Sequence, residues 1–360
     1  MRRALVGCVV VFVSLCFFSS CIRSVNPPIR TVEPILVVEG SVNTGTPPYA
    51  IQLSYSGNYT NAYRVPEELF ITDANVTIQD DQGDSTVCKW TGNGTYESVD
   101  SNFRGVVGRS YTLKVYLSNG KTYISSPEPI TAVPPIDSVS IVYDSTFITD
   151  VRPTQLIISI NTHDPAGAQN YYRWTSYGYI PRKSIGGPCG SSPPTCGLLC
   201  NCNAFCEQLL ENNQINILSD QYINGKEIIQ PVFYSPLYWQ GKHFIEISQF
   251  SISQKIYQFW EQYEAQTNRT GSILDPLPAS LTGNVYNQAD SNDVALGLFS
   301  ASDLVTKKII ITPFFLQDYY LISVAGQYIL SGSCHDVFPN TLPNDTDPEG
   351  WENAQLIDLR

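Results

Sequence analysis

FSISQKIYQFWEQYEAQTNRTGSILDPLPASLTGNVY, residues Phe250 to Tyr286, holds the single helical pattern in a chain otherwise written in short β-prone runs. Ile252, Ile256, Phe259, Trp260 and Tyr263 recur at helical spacing, while Gln254, Lys255, Gln258, Glu261 and Gln262 fall on the opposite side. The spacing predicts a helix over about 252–268, opened by a capping box of Ser251 and Gln254 and stopped at Gly271 after Arg269. Leu274-Asp275-Pro276-Leu277-Pro278 then turns the chain into a new strand. A lone amphipathic helix among strands has to bury its apolar face on a sheet. The expected fold class is therefore mainly β, with one helix packed on the sheet of a larger, second domain.

Upstream, the β-prone runs are Ile35 to Val42, Tyr49 to Tyr55, Ala74 to Gln79, Ser85 to Trp90, Gly94 to Ser98 and Tyr111 to Ser126. Gly, Asn, Asp and Pro separate them, which is the punctuation of a β-sandwich. Asn119-Gly120 between Tyr111–Tyr116 and Thr122–Ile124 predicts a hairpin, because both turn residues tolerate positive φ. Regular spacing of this kind predicts an immunoglobulin-like or transthyretin-like sandwich over 33–133. Pro134-Pro135 stops strand continuation and sets the expected boundary of a second, β-rich domain over 134–336, followed by a C-terminal tail over 337–360.

In the second domain YYRWTSYGY, Tyr171 to Tyr179, places Tyr172 and Trp174 on one face of a strand and Tyr171, Arg173, Thr175, Tyr177 and Tyr179 on the other. One face has to meet the core. The other either packs internally, as most rings in β domains do, or offers Tyr171, Tyr177 and Tyr179 to a ligand, with Tyr238 and Trp239 as further candidates.

Arg2 and Arg3 precede an apolar run of 15 residues, Ala4 to Phe18, closing on Ser19-Ser20-Cys21. The run falls short of the roughly 20 residues a spanning helix needs. It predicts a signal peptide over 1–20 and acylation of Cys21; an ordinary secretory signal with a stray cysteine is the plainer reading. Multiple acyl chains, at ~0.8 kcal/mol per buried CH₂, would hold the chain on a membrane. Residues 22–32, with two prolines and no acidic cluster, read as a tether.

Without residues 1–20 the chain carries 19 Lys and Arg against 33 Asp and Glu, a net charge of −14 that repels phosphate backbones and argues against nucleic acid as a partner. Five cysteines, Cys189, Cys196, Cys200, Cys202 and Cys206, crowd one loop, and Cys334 follows far downstream. Their spacing is not that of an ordinary zinc site, and an exported chain meets an oxidising compartment, so disulfides are expected, with Cys334 bridging back to the cluster. Cys88 is left as the unpaired, buried thiol.

No nucleophile elbow, zinc helix or phosphate loop occurs in the sequence, and His163, His243 and His335 are scattered. The expectation is a protein that is not an enzyme and needs no cofactor or metal, although glycosidase-type carboxylate pairs leave no local signature.

The run ISQKIYQFWEQYEAQTNRTGSILDPLPASLTGNVYN, followed by VALGLFSASDLVTKKIIIT from Val294 to Thr312, resembles the signature of the DUF4249 family, lipoproteins of Bacteroidetes. The resemblance spans Cys21 to about Cys334, and the cysteine cluster departs from the family pattern. It implies a lipid-anchored outer-membrane protein associated with a TonB-dependent β-barrel transporter, and it implies no reaction. Three function classes follow: an accessory lipoprotein of a transporter in nutrient capture or uptake, a structural or adhesive envelope protein, and a lipid-anchored hydrolase.

Overall fold

A computed structural model of the chain describes residues 34–57, 66–144, 154–184, 186–188, 201–202, 204–239, 241–268, 281, 283–312, 332–343 and 347–359. The signal peptide, Cys21, the tether, Cys189, Cys196, Cys200, Gly271 and the Leu274–Pro278 turn lie outside them.

The architecture is mainly β, in two sheet assemblies. The first is an eleven-stranded sheet whose order is Asp290–Val294, Val285–Asn287, Thr122–Ser125, Ser110–Tyr116, Asn75–Asp80, Ser85–Gly92, Thr95–Ser98, Ala50–Tyr55, Leu36–Asn43 and Leu296–Ser302, with Glu128–Pro129 beside Ser110–Tyr116. Every β-prone run read from the first part of the sequence is a strand here. Val285 near one end of that order and Phe299 at the other share a single core with Val38, Ile51, Ile78 and Leu113, so the sheet curls over on itself. Asn284 closes the curl: its Oδ1 accepts from Phe299 N at 2.9 Å and its Nδ2 donates to Phe299 O at 2.7 Å.

The hairpin forms where Asn119-Gly120 placed it, with Lys114 opposite Ile124 and Tyr116 opposite Thr122. Gly120 alone takes positive φ, 85°. Asn119 instead uses its side chain, accepting from Lys121 N at 3.0 Å, and Leu117 N and Lys121 O close a longer loop at 2.9 Å.

The expected boundary at 133/134 does not follow the sheets. Residues 285–302 return to the first sheet, where Leu296–Ser302 pairs in parallel with Leu36–Asn43. The expected tail is likewise built in: Thr341–Pro343 pairs with Phe205–Glu211, and Gln355–Asp358 pairs in parallel with Leu304–Thr312. Sequence spacing reports local strands, whereas these pairings are set by partners far away along the chain.

The second assembly stacks a seven-stranded sheet on a three-stranded one. The larger has Tyr171–Lys183 and His243–Ser251 at its centre, flanked by Phe205–Glu211, Asn216–Ser219 and Leu304–Thr312; the smaller runs Glu227–Pro236, Gln155–His163, Ser138–Asp144. The alternation read in YYRWTSYGY holds: Tyr172 and Trp174 enter the core with Ile158, Phe233, Ile245 and Ile309, and the intervening residues face outward. Trp174 Nε1 donates to Gln249 Oε1 at 2.8 Å, which lets the indole be buried without an orphaned donor.

The helix spans Gln254–Thr267 and lies over Tyr171–Lys183 and Asn216–Ser219. The expected capping box is replaced by Ser253, whose Oγ accepts from Ile256 N at 3.3 Å. Ser251 is still the last residue of its strand, opposite Tyr172, and its hydroxyl donates to the carbonyl of Thr131. Strand pairing therefore claims Ser251 and shifts the helix start by two residues.

Two carboxylates, Asp303 half-buried and Glu128 buried, tie the assemblies together. Asp303, the single residue between Leu296–Ser302 and Leu304–Thr312, accepts from Thr44 Oγ1 at 2.6 Å and from Val133 N at 2.9 Å. Glu128 accepts from Asn284 Nδ2 at 2.9 Å and from the cap residue Ser253 Oγ at 2.7 Å. Losing these partners would leave the buried Glu128 carboxylate unsatisfied, which is costly.

Cys88 is unpaired and 4% exposed, as its strand-like setting implied. Burial pushes its thiol up to about 12. Because the thiolate is the reactive form, peptide mapping after iodoacetamide treatment of the native protein at pH 8 is expected to find the Cys88 peptide unmodified, and to find it alkylated in urea. Rapid native labelling would contradict this burial.

Candidate functional site

The outer face of the seven-stranded sheet is covered unevenly. At one end the helix lies across it: Tyr257 meets Tyr171 with ring centroids 5.1 Å apart, and Arg173 sits 4.3 Å over the Trp260 ring. Burial pushes the Arg173 guanidinium down to about 10, which leaves it charged at neutral pH and attracted to the indole face. At the other end Trp351 stands edge-on to Phe244 at 5.6 Å.

Between these covers lies a half-buried floor of Tyr177, Tyr179, Glu246, Ser248 and Lys308, bordered by the exposed Thr306. It follows from register, since Tyr177 opposes Glu246 and Glu246 opposes Lys308 across three neighbouring strands. Tyr177 donates its hydroxyl to Glu246 Oε2 at 2.7 Å, and Lys308 Nζ lies 3.4 Å from the same oxygen. Burial, and then the Glu246 carboxylate, push the Tyr177 hydroxyl well above the usual phenol range. Lys308 also donates to Gly350 O at 2.9 Å, tying the floor to the segment that carries Trp351. Tyr179 meets Tyr177 edge-on at 6.3 Å. The floor can offer aromatic edges and one neutralised ion pair to a partner surface; its carboxylate is already engaged.

The five aromatic candidates divide. Tyr177 and Tyr179 belong to the floor, whereas Tyr171 is covered by Tyr257 of the helix. Tyr238 and Trp239 are occupied by cations of the chain itself, with Arg182 3.3 Å over Tyr238 and Lys183 4.0 Å over Trp239. Their rings serve packing. Glu246 and Lys308 were missed in the sequence although the period-two pattern of Lys242 to Phe250 puts Glu246 on the outer face. Trp351 was missed because its segment reads as a tail.

A separate cleft of about 480 Å³ opens at the end of the helix, lined by Asn213, Gln214 and Ile215 on one side and Tyr263, Glu264, Thr267 and Asn268 on the other. Amides and hydroxyls dominate it, and they suit hydrogen bonding to a neutral polar molecule.

Of the cysteine candidates, Cys206 and Cys334 are bridged, with Cα atoms 5.8 Å apart and a sequence separation of 128. Cys202 lies in the two-residue strand Asn201–Cys202, paired with Gly187–Pro188.

Among family models, one described as a domain of unknown function, DUF4249, matches residues 22–308. No curated protein matches the chain.

Proposed function

The chain belongs to the DUF4249 family, and from that premise we propose that it is a lipid-anchored protein of the outer membrane. It works by contact and not by chemistry, as an accessory partner of a TonB-dependent transporter in nutrient capture or uptake. The observation that carries the reading is positional: the family match begins at residue 22, immediately after the Ser19-Ser20-Cys21 sequence that ends the apolar run. Everything before that point then serves export and anchoring.

The hydrogen bonds at Asp303 and Glu128 are in keeping with a contact role, since they tie the two sheet assemblies to one another. The half-open floor of Tyr177, Tyr179, Glu246 and Lys308 is the surface best suited to meet the barrel.

The test is a comparison of the wild type with Cys21→Ser in the native host. The wild type is expected to incorporate radiolabelled palmitate, to partition into the detergent phase and to co-purify in mild detergent with a stoichiometric β-barrel protein. Cys21→Ser is expected to lose the label and move to the aqueous phase. A wild-type amino terminus that mass spectrometry shows to be unacylated would end the anchoring claim; an acylated protein that carries no barrel would end the transporter claim.

A further inference from the structure

Two surface loops, residues 163–170 and 219–226, close over a pair of carboxylates that face each other inside the protein. Asp164 and Asp220 are 5% and 0% exposed. Among the described residues neither has a salt-bridge partner. Two negative charges enclosed side by side without a cation are unfavourable, and the arrangement calls for one.

The surrounding atoms point to what kind. Asp164 Oδ1 accepts from Tyr172 Oη at 2.5 Å and Oδ2 from Gly225 N at 2.8 Å, so its position is fixed. Asp220 Oδ2 receives the Asn224 amide at 3.3 Å, the carboxyl also meets Asn170 and Asp164, and Asp220 Oδ1 has no hydrogen-bond partner within ordinary geometry and no access to solvent. Around them the carbonyl oxygens of Pro165 and Ala168 converge: Asn170 Nδ2 lies 3.4 Å from Asp164 Oδ1, 3.4 Å from Pro165 O and 3.1 Å from Ala168 O. Asn224 Nδ2 lies 3.1 Å from Ala168 O as well. Amide groups thus fill a focus of oxygens: the contacts to Ala168 O at 3.1 Å are ordinary, those to Asp164, Asp220 and Pro165 at 3.3–3.4 Å are long for N–H···O hydrogen bonds, and a positive ion suits the carboxylate side of that focus better.

We propose that Asp164 and Asp220, together with the carbonyl oxygens of Pro165 and Ala168, form a binding site for Ca²⁺. All the donors are hard oxygens. A half-turn of the Asn170 amide, whose O and N are assigned from its hydrogen bonds, presents a further oxygen. With water these groups reach the six to eight ligands, about 2.3–2.6 Å from the ion, that Ca²⁺ takes, and a site drawn from two loops with backbone carbonyls is too irregular for the strict octahedron of Mg²⁺. Two carboxylates balance the ion's charge. Burial first, and the neighbouring Asp164 carboxylate with it, hold the Asp220 carboxyl above its ordinary value, as befits a site whose charge awaits a counter-ion. The ion would tie the loop before Tyr171–Lys183 to the loop before Glu227–Pro236, one from each layer of the second sandwich.

The experiment uses the full-length chain stripped with EDTA. Added CaCl₂ is expected to raise the Tm by several degrees, with half-saturation at about 10⁻⁴–10⁻³ M as in extracellular modules, and EDTA is expected to reverse the shift. Tb³⁺ excited through Tyr172, which touches Asp164, is expected to luminesce and to be displaced by Ca²⁺. Asp220→Asn is expected to weaken both responses at least tenfold; Asp347→Asn, at an exposed carboxylate paired with Lys242, is expected to leave them unchanged. Should Asp220→Asn fail to fold, the wild-type titrations decide by themselves. No Tm shift and no luminescence in the wild type overturns the site, as does a response that survives Asp220→Asn or is lost in Asp347→Asn. A Tm that rises as pH falls from 7 to 5 with no Ca²⁺ dependence also overturns it, because a proton shared by the two carboxyls would then be the counter-charge.

Discussion

Removing the Cys206–Cys334 bridge, by Cys206→Ala with Cys334→Ala, is expected to destabilise the second sandwich by about 3–5 kcal/mol. The bridge closes a loop with a sequence separation of 128. In the chain-entropy account a loop of that size gives roughly 5 kcal/mol, and measured effects are commonly about 2–4 kcal/mol. The native side adds to the effect. Cys206 lies in Phe205–Glu211, one strand inside the edge strand Thr341–Pro343, and Cys334 opens the single helical turn Cys334–Val337 that precedes that edge strand. Both half-cystines are fully buried. Cutting the bridge therefore frees the edge strand at the moment it widens the unfolded ensemble. The double variant is the right probe, because a single substitution would leave a thiol able to exchange with Cys189, Cys196, Cys200 or Cys202. Four of the five tryptophans, Trp174, Trp239, Trp260 and Trp351, lie in the second sandwich, so fluorescence during urea unfolding reports mainly on it. A change below about 0.5 kcal/mol, the size of an ordinary surface substitution, would show that the bridge is ornamental to stability.

That bridge was half legible in the sequence. Oxidation state and the crowding of cysteines predicted that Cys334 returns to the cluster, but which of five partners it finds depends on where Phe205–Glu211 sits beside Thr341–Pro343, and no local pattern carries that. The same division runs through the fold. The hairpin at Asn119-Gly120 and the alternation in YYRWTSYGY are local, and both were readable residue by residue. The return of 285–302 to the first sheet was not, because Leu296–Ser302 is decided by the parallel edge of Leu36–Asn43, some 260 residues earlier. The helix shows the limit of propensity more finely. Ser251 has the right chemistry for a cap, but its backbone is held in a strand by Tyr172, and Ser253 takes the role. At the candidate site, Tyr177 and Tyr179 could be named from alternation alone. Glu246 and Lys308 gain meaning only when three strands stand in register, and Tyr238 and Trp239 lose theirs when Arg182 and Lys183 fold onto them.

Acid is expected to weaken the protein between pH 6.5 and 4, before most carboxylates titrate, and His243→Asn is expected to remove much of that slope. His243 is 0% exposed, in the central strand His243–Ser251 of the second sandwich, and it shares one hydrogen bond of 2.7 Å between Nδ1 and Ser235 Oγ. Its Nε2 has no partner. Burial pushes the imidazole from 6.5 down to about 3. The folded state thus keeps this ring neutral while the unfolded chain protonates it below pH 6.5, so the unfolded state binds the extra proton and stability falls with pH. The penalty is absent above pH 6.5, grows by roughly 1.4 kcal/mol per pH unit below it, and levels off as pH reaches the folded value. By pH 4 it amounts to about 3 kcal/mol, a large share of the roughly 5–15 kcal/mol by which proteins are stable. Other groups do not imitate this. His163, raised by its hydrogen bond to Asp137, and Asp220, raised by burial, both favour the folded state as protons are added. Asp80 and Asp293 have carboxyls held low in the folded state, and they lose their contribution only below about pH 4. An Asn at 243 can keep the contact to Ser235 Oγ through its side-chain amide and cannot take a proton, at a packing cost of about 1–2 kcal/mol at neutral pH. Urea unfolding at half-unit pH steps should then show two curves, the wild type steeper and the variant lower at pH 7, that meet as the medium is acidified. Parallel curves over that range would mean that His243 is hydrated in the native state, and that the core beneath Ser235 is not closed to water.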